Sequence, residues 1–405
     1  MNLQYVQGEP LFMNTNSVPR QYEYLTEEID TDVIIVGGGV TGGILGYYFS
    51  KSNINSVILE KGRIGHLSTS VTTSLLQYEL DENLNGLLEA TTMGNVIKSY
   101  NLGIKALSEI DRFINEHGNH CDYRVKDTLL YTSKKLEFKE IYEEYRLRCE
   151  NGFNVDFIQE QNNPFSFDLK AGVYCNNGGA QFDPYKYTHQ LLKASCDMGL
   201  RVYENTEVVK VNYENSGVLV ETSYGHKVKG KIVIVATGYN TELFTKRKFG
   251  TKTTTFNIAT KPIKSFSGWK NRVLIRDNND PYNYLRTTED NRIIIGGEDI
   301  NFVPDIFNEK TANKKYNILE QRLKDMFKDM KDIEIEYKYC GAFASTKDNM
   351  GFLGPDPNND KLWYCLGYGA NGILFSILGG MMLSDLYLGK DNEDFRLFKV
   401  DRFDK

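Results

Sequence analysis

The run Asp32-Val33-Ile34-Ile35-Val36-Gly37-Gly38-Gly39-Val40-Thr41-Gly42-Gly43, followed by Ser56-Val57-Ile58-Leu59-Glu60, constrains this chain more than any other stretch. An apolar run enters a GxGxxG turn, an amphipathic segment follows, and a second apolar run closes on a carboxylate. Strand, glycine turn, helix and strand together form a unit that grips a dinucleotide. Gly37 lets the chain turn sharply off the first strand, Gly39 removes a side chain where backbone must approach a pyrophosphate, and Gly42 lets the helix pack closely on the sheet. The first helical N–H groups, at Val40 and Thr41, and the helix dipole then attract phosphate. Glu60, at the tip of the second strand, is placed to accept hydrogen bonds from a ribose diol. No arginine sits at the end of that strand, so a 2′-phosphate is not its natural guest.

At 405 residues the chain exceeds what one hydrophobic core usually fills, so two lobes are expected. A net charge of −6 argues against nucleic acid as a partner, and Lys246-Arg247-Lys248 is too short a basic patch to change that. The cysteines form no Cys-x-x-Cys pair, which favours reduced thiols and a cytoplasmic protein. Residues 1–30 lack the basic start and apolar core of a signal peptide and read as an N-terminal arm. Leu362 to Ser384 carries no charge, but its first half is polar and Gly-rich, so a helix buried within the protein is expected there and a membrane partner is not. In His117-Gly118-Asn119-His120-Cys121, Gly118 breaks the helix face and no carboxylate pair frames the histidines; this reads as a helix end, and no metal site is expected.

The run Lys61-Gly62-Arg63-Ile64-Gly65-His66-Leu67-Ser68-Thr69-Ser70-Val71-Thr72-Thr73-Ser74-Leu75 directly follows Glu60, and that position favours a ligand-lining loop over an ordinary Ser/Thr turn. From Met93, apolar residues recur at three and four through Ile114, predicting a long amphipathic helix. A second helix is expected between Asp183 and Gly199. Arg201-Val202-Tyr203, Val208 to Val211 and Val218 to Val220 read as strands of a meander. It closes on Lys231 to Gly238, a buried parallel strand whose Ala236-Thr237-Gly238 end returns to the nucleotide. Strand-like runs dominate from Phe256 to Ile300, and Lys310 to Lys331 is helical in period.

Four separated motifs thus agree, and from about Asp32 to Arg402 the chain resembles the FAD-dependent oxidoreductases of the D-amino-acid oxidase and glycine oxidase superfamily. They are the GxGxxG with Glu60, the hydroxyl cluster after Arg63-Ile64-Gly65, the Ala236-Thr237-Gly238-Tyr239 strand end, and the C-terminal Ser345-Thr346-Lys347-Asp348 through Gly354 to Gly367-Tyr368-Gly369-Ala370-Asn371-Gly372. Closest in pattern are members fused to a Rieske iron–sulfur domain, although the Cys-x-His pairs such a module needs are absent. The resemblance implies an α/β fold of two lobes. A Rossmann-like FAD-binding lobe from residues 31–105, 171–240 and 336–395 is interleaved with a mostly antiparallel substrate lobe from 106–170 and 241–335, and a tail occupies 396–405. It also implies noncovalent FAD, with Glu60 on the adenosine ribose beside Lys61 and Arg63, Thr69 and Ser70 near the pyrophosphate, and Val208 on the adenine through its backbone. Thr72, Thr73, Ser74 and Leu75 would border the flavin, and Thr237 and Gly238 the nucleotide. A helix starting at Gly369, Asn371, Gly372 and Ile373 would aim its positive end at the N1 and C2 carbonyl of reduced flavin.

The pattern also departs from that family. Its amino-acid oxidases clamp the substrate carboxylate with an arginine a few residues before Thr-Lys-Asp, and here that place falls to Phe343. Arg286 is a candidate substitute from the substrate sheet, with a surface strand arginine as the alternative. Tyr284 reads either as a pocket residue or as a buried tyrosine with a satisfied hydroxyl. Leu75 replaces a basic side chain that promotes reaction with oxygen in several relatives, which makes another electron acceptor, an acceptor protein among the candidates, the expectation. Cys340 lies near where some relatives attach FAD, but its spacing to Asp348 does not match, and it reads as a small buried hydrophobe. The expected activity is hydride removal from an amine-bearing carbon of a small molecule, a hydroxyl-bearing carbon being second, with no catalytic acid or base identified. Two rivals stay open: an NAD-dependent dehydrogenase, permitted by the first motif alone, and a non-catalytic flavin-binding subunit that relays electrons in a hetero-complex. The oligomeric state is left open.

Overall fold

The computed structural model describes residues 5–304 and 307–404. Residues 1–4 of the expected arm, 305–306 of the expected substrate segment and 405 of the tail lie outside the described residues. A six-stranded sheet forms the nucleotide side, in the order Phe352–Asp356, Asn359–Leu366, Ile232–Val235, Val33–Val36, Ser56–Leu59 and Arg201–Tyr203. All pairings are parallel except the first hairpin. Parallel strands covered on both faces need apolar residues at every position, which is why Val33–Val36 and Ile232–Val235 are unbroken hydrophobic runs, buried throughout. Alternation divides them: Val33 and Ile35 enter the core with helices Val40–Lys51, Met93–His117, Pro184–Asp197 and Gly372–Tyr387, while Ile34 and Val36 face a four-stranded sheet. That small sheet consists of Val208–Glu214, Gly217–Thr222, Lys227–Gly230 and Ile29–Asp30.

One strand differs from the sequence expectation. Arg201–Tyr203 does not open the meander but joins the parallel sheet beside Ser56–Leu59, and the meander proper begins at Val208. Short apolar runs announce a strand but not its partner; here the Leu59–Tyr203 pairing continues into Glu60, whose N–H donates to the Tyr203 carbonyl at 2.9 Å. The uncharged segment becomes a strand and a buried sixteen-residue helix, Gly372–Tyr387, and among the described residues no helix is long and apolar enough to cross a membrane. The helix from Met93 ends at His117, where Gly118 turns away at φ +82°.

A ten-stranded, mostly antiparallel sheet covers the other side, in the order Val6–Gly8, Ile335–Ser345, Thr251–Thr260, Ile293–Asn301, Tyr284–Thr287, Leu274–Asp277, Arg124–Thr132, Ala171–Gln181 and Leu75–Gln77, with Asp156–Gln159 also on Ala171–Gln181. Residues 75–77, 171–181 and 336–345 therefore run in this sheet, although they fall in segments expected for the nucleotide lobe. The N-terminal segment is docked, with Val6–Gly8 on its edge and Leu11 and Phe12 buried. Helix Glu309–Met326 packs on the outer face and ends short of Lys331, because Phe327 and Met330 turn into the core as loop residues.

Candidate functional site

Between the parallel sheet and the large sheet runs a cleft of about 500 Å³. At its nucleotide end each glycine of the first motif has its own reason. Gly37 has φ +114°, and a Cβ there would sit 2.4 Å from the Ala236 carbonyl. A Cβ on Gly42 would lie 1.9 Å from the Gly37 carbonyl, so Gly42 serves helix-on-strand packing and does not line the cleft. Gly39 does line it, and a Cβ there would meet only the Thr69 hydroxyl, at 3.0 Å. That hydroxyl accepts from the Val40 N–H at 2.9 Å, placing the Ser/Thr cluster against the helix start. Thr41 reaches the other way, its Oγ1 2.8 Å from Ser376 Oγ, and so links the two helices whose N-termini face the cleft.

Glu60 accepts from the Gly38 N–H at 2.7 Å and the Gly62 N–H at 2.8 Å. Burial raises its pKa, against the pull of those two donors. Lys61, Arg63 and Val208 line the same end, and a bulge in the strand pairing just after Val208 interrupts the ladder there. Sequence reasoning missed Glu204: it accepts from the N–H groups of Ile64 at 2.8 Å and Tyr22 at 3.0 Å and pairs with Arg63 at 3.3 Å, fastening the loop after Glu60. Its only advance signal was a carboxylate directly after a short strand.

In the middle of the cleft, Ser68–Val71 is a single helical turn. Ser70 faces inward and donates to the Leu67 carbonyl at 2.8 Å, so it holds the turn and is not a wall residue. Thr72, Thr73, Ser74 and Leu75 form the wall; Ser74 has φ +53°, and its buried Oγ has no hydrogen-bond partner among the described residues. Opposite stand Thr237 and Gly238, the latter's carbonyl accepting from the Tyr368 hydroxyl at 2.9 Å. Gly369, at φ +78°, and Gly372 and Ile373 bring the start of the last helix to the cleft. Asn371 lies behind them and donates to the Glu79 carbonyl at 2.9 Å. The Thr-Lys-Asp run is a structural turn: Thr346 donates to the Met350 carbonyl at 2.9 Å, and Arg402 grips Asp348 at 2.8 and 3.0 Å.

At the far end Tyr284 and Phe343 line the cleft, and Tyr284 OH lies 3.0 Å from Thr255 Oγ1. Arg286 does not reach it. Buried behind the sheet, it donates to the Phe182 carbonyl at 2.9 Å and lies over the Phe12 ring, which makes it neither the candidate clamp nor a surface arginine. Sequence reasoning missed Arg276, Asp81, Tyr282 and Asp299, which share this end. Asp81 accepts from the Ala370 N–H at 2.9 Å, tying the Gly-rich C-terminal loop to the cleft wall. Cys340 is not a wall residue; it lies in the core beneath helix Glu309–Met326, where burial pushes its thiol up to about 11.

These residues fit an elongated phosphate-bearing cofactor with a planar head. Both helix starts are left without a side-chain cap from the N-cap residue, a Cβ on Gly238 would have only the Ser68 hydroxyl near it, at 3.9 Å, and one on Gly39 only the Thr69 hydroxyl, at 3.0 Å, and the buried Ser74 hydroxyl is left for a ligand. The family model for FAD dependent oxidoreductases, DAO, matches residues 32–386. A Bacillus subtilis (strain 168) protein described as a Rieske 2Fe-2S iron–sulfur protein is 23% identical over 97% of this chain and 75% of its own length. Glycine oxidase of the same organism is 23% identical over 92% of this chain and 97% of its own. The crystal structure of glycine oxidase from Geobacillus kaustophilus superposes with a TM-score of 0.76 at 21% identity, covering 92% of this chain and 98% of that one. With the glycine turn, Glu60, the hydroxyl cluster and the terminal glycines all meeting at one cleft, and a family match over most of its length, this chain belongs to the DAO family of FAD-dependent oxidoreductases.

Proposed function

We propose that this chain oxidises the C–N bond of an amine or amino acid. The observation that carries the reading is the single cleft, which begins at the Glu60 carboxylate, passes two helix starts, and ends between Tyr284, Phe343 and Thr255 under the large sheet. FAD, when bound, supplies the hydride acceptor. Glu60, Gly39, Val40, Thr69 and Val208 would hold its nucleotide half, Thr72 to Leu75 and Gly369 to Ile373 its ring, and the large sheet would carry the substrate pocket. The segments 31–105, 171–240 and 336–395 remain our division for the nucleotide lobe, with the strands noted above crossing into the other sheet.

The chain's own contribution is positional. The Gly372–Tyr387 helix start places partial positive charge where a reduced ring would be negative, worth roughly 0.3–2 kcal/mol. The large sheet would roof the reacting carbon from the side of Thr255, Tyr284 and Phe343. Cys340 lies away from the cleft, which supports noncovalent FAD, and Leu75 on its wall supports an electron acceptor other than oxygen. Six free cysteines favour a reducing, cytoplasmic setting.

Purified protein should be yellow, release its colour from an acid-denatured pellet, and bleach anaerobically with an amine or amino acid. A coloured pellet would restore covalent attachment. Bleaching by a partner protein alone, with no amine or amino acid active, would replace the enzyme with an electron relay.

A further inference from the structure

The substrate end of the cleft carries a carboxylate that strict strand alternation would turn the other way. Along Ile293–Asn301, Ile293 and Ile295 enter the core under helix Glu309–Met326, whereas Ile294 joins the opposite cluster with Phe12 and Tyr339. Continued alternation would put residue 298 on the cleft face and residue 299 under the helix. A bulge intervenes, for Phe256 pairs with Gly297 but Thr254 with Ile300, one residue out of step. Gly297 and Glu298 adopt φ +136° and +58°, and the phase reverses. Glu298 meets Lys315 at 3.0 Å and Arg322 at 3.3 Å on the helix, while Asp299 lines the cleft.

Asp299 has little to balance it. Its Oδ1 is buried and has no hydrogen-bond partner among the described residues. The groups acting on it are the Thr255 hydroxyl, the carboxylates Asp81 and Glu298, and Lys315, which Glu298 already holds. Burial and the two carboxylates push its acid up to about 6. The one cation on the same wall among the described residues, Arg276, donates to the Asp81 carbonyl and lies 3.5 Å from Asn83 Oδ1; its buried Nε has no hydrogen-bond partner among the described residues, and its charge offsets that of the Asp81 carboxylate, which leaves Asp299 as the excess charge. Phe343 offers a carboxylate nothing; of the two tyrosine rings 5.8 Å apart on this wall, Tyr282 already has the Arg276 guanidinium 6.0 Å over it, and Tyr284 offers its π face to a cation.

We propose that Asp299 holds a cationic nitrogen of the substrate, so that the cleft takes alkylammonium compounds such as diamines in preference to free amino acids. The inference rests on the C–N-oxidising reading above and narrows it. An amino acid would bring its carboxylate to a wall where two carboxylates, Asp81 and Asp299, face one cation, Arg276.

The test titrates the FAD-loaded protein with 1,4-diaminobutane and, separately, with benzoate, reading the flavin visible band. The diamine should perturb the band saturably. Asp299→Asn, close to isosteric, should weaken that response by roughly tenfold to a hundredfold with FAD content unchanged, and Asp299→Ser, a second variant, should do the same. Tighter binding of benzoate than of the diamine, or wild-type diamine affinity in both variants, overturns the proposal. Anaerobic bleaching separates the two levels: bleaching by glycine or proline but by no amine leaves C–N oxidation standing and removes the role of Asp299. If neither class bleaches the flavin the broader reading falls, and the diamine titration still decides Asp299.

Discussion

Two glycines of the first motif, three residues apart, should fail in opposite ways when replaced by alanine. At Gly42 the added Cβ would sit 1.9 Å from the Gly37 carbonyl, roughly 1.5 Å short of the 3.4 Å at which such contacts become ordinary. Gly37 cannot yield, because it is itself pressed on the Ala236 carbonyl at φ +114°. The helix Val40–Lys51 must therefore shift off the sheet, an overpacking cost of about 1–3 kcal/mol or more. At Gly39 the backbone is extended, φ −78° and ψ −172°, so alanine is tolerated by the backbone, and the Cβ meets only the Thr69 hydroxyl, at 3.0 Å, which a small shift of that side chain relieves. The stability of the cofactor-free protein should then fall by about 1 kcal/mol or less, well short of the loss at Gly42. The same Cβ would stand in the cleft where phosphate approaches, and loss of one charge-assisted hydrogen bond there costs roughly 1.5–3 kcal/mol, a tenfold to hundredfold loss of FAD affinity. Thermal unfolding of the cofactor-free protein by circular dichroism, paired with FAD titration by flavin fluorescence, separates the two. A Gly42→Ala variant as stable as wild type, or a Gly39→Ala variant that keeps its FAD affinity, would refute the assignment of these roles.

Three further outcomes follow from buried charge. His189 is buried, both ring nitrogens lack partners among the described residues, and burial pulls its pKa down to about 4; stability fully present above pH 6.5 should fall by up to about 3 kcal/mol as pH drops to 4. Urea unfolding at both ends of that window should show a shallower loss for His189→Phe, and an unchanged slope sinks the point. Arg148, 1% exposed, pairs with Glu144 at 2.7 Å and Glu79 at 3.4 Å, so Arg148→Ala should cost about 3–5 kcal/mol by denaturant titration. For Asp299, whose folded pKa of about 6 stands above the unfolded 3.8, the favourable contribution is complete below pH 3.8 and lost as pH rises through 6. The cofactor-free Asp299→Asn variant should accordingly be more stable than wild type at pH 8, by about 2–3 kcal/mol, with the gap closing near pH 4.

The nucleotide end was legible in the sequence because its determinants are local. A glycine spacing, a buried strand and a terminal carboxylate lie within thirty residues, and Gly37, Gly39 and Glu60 stand where that pattern puts them. At the far end only Tyr284 and Phe343 were legible, because the rest of the wall comes from residues 81, 255, 276 and 299, and nothing in a run of side chains states that they meet. Asp299 was further hidden by the bulge, which reverses the strand's alternation after the pattern of Ile293 to Ile295 has been set. Arg286 misled for the converse reason: it lies two residues from a wall residue, but its own side chain ends on Phe182 and Phe12.

The carboxylates in and behind the cleft wall differ in what they accept. Glu60 takes two backbone N–H groups, from Gly38 and Gly62, and thereby closes the glycine turn onto the second strand. Glu204 takes two, from Ile64 and Tyr22, and joins the N-terminal segment to the loop after Glu60. Asp81 takes the N–H of Ala370, bringing residues far apart in the chain together at the start of the last helix. Each ties down a segment that must be in register for the cleft to exist, and each recovers part of its desolvation through an amide donor. Asp299 closes no turn and has no amide donor among the hydrogen bonds described. The bulge that turns Glu298 onto Lys315 and Arg322 turns Asp299 the other way, into the cleft, so the ion pairs under the helix help to hold the bulge while the buried Asp299 oxygen is left for a positive charge arriving in the cleft.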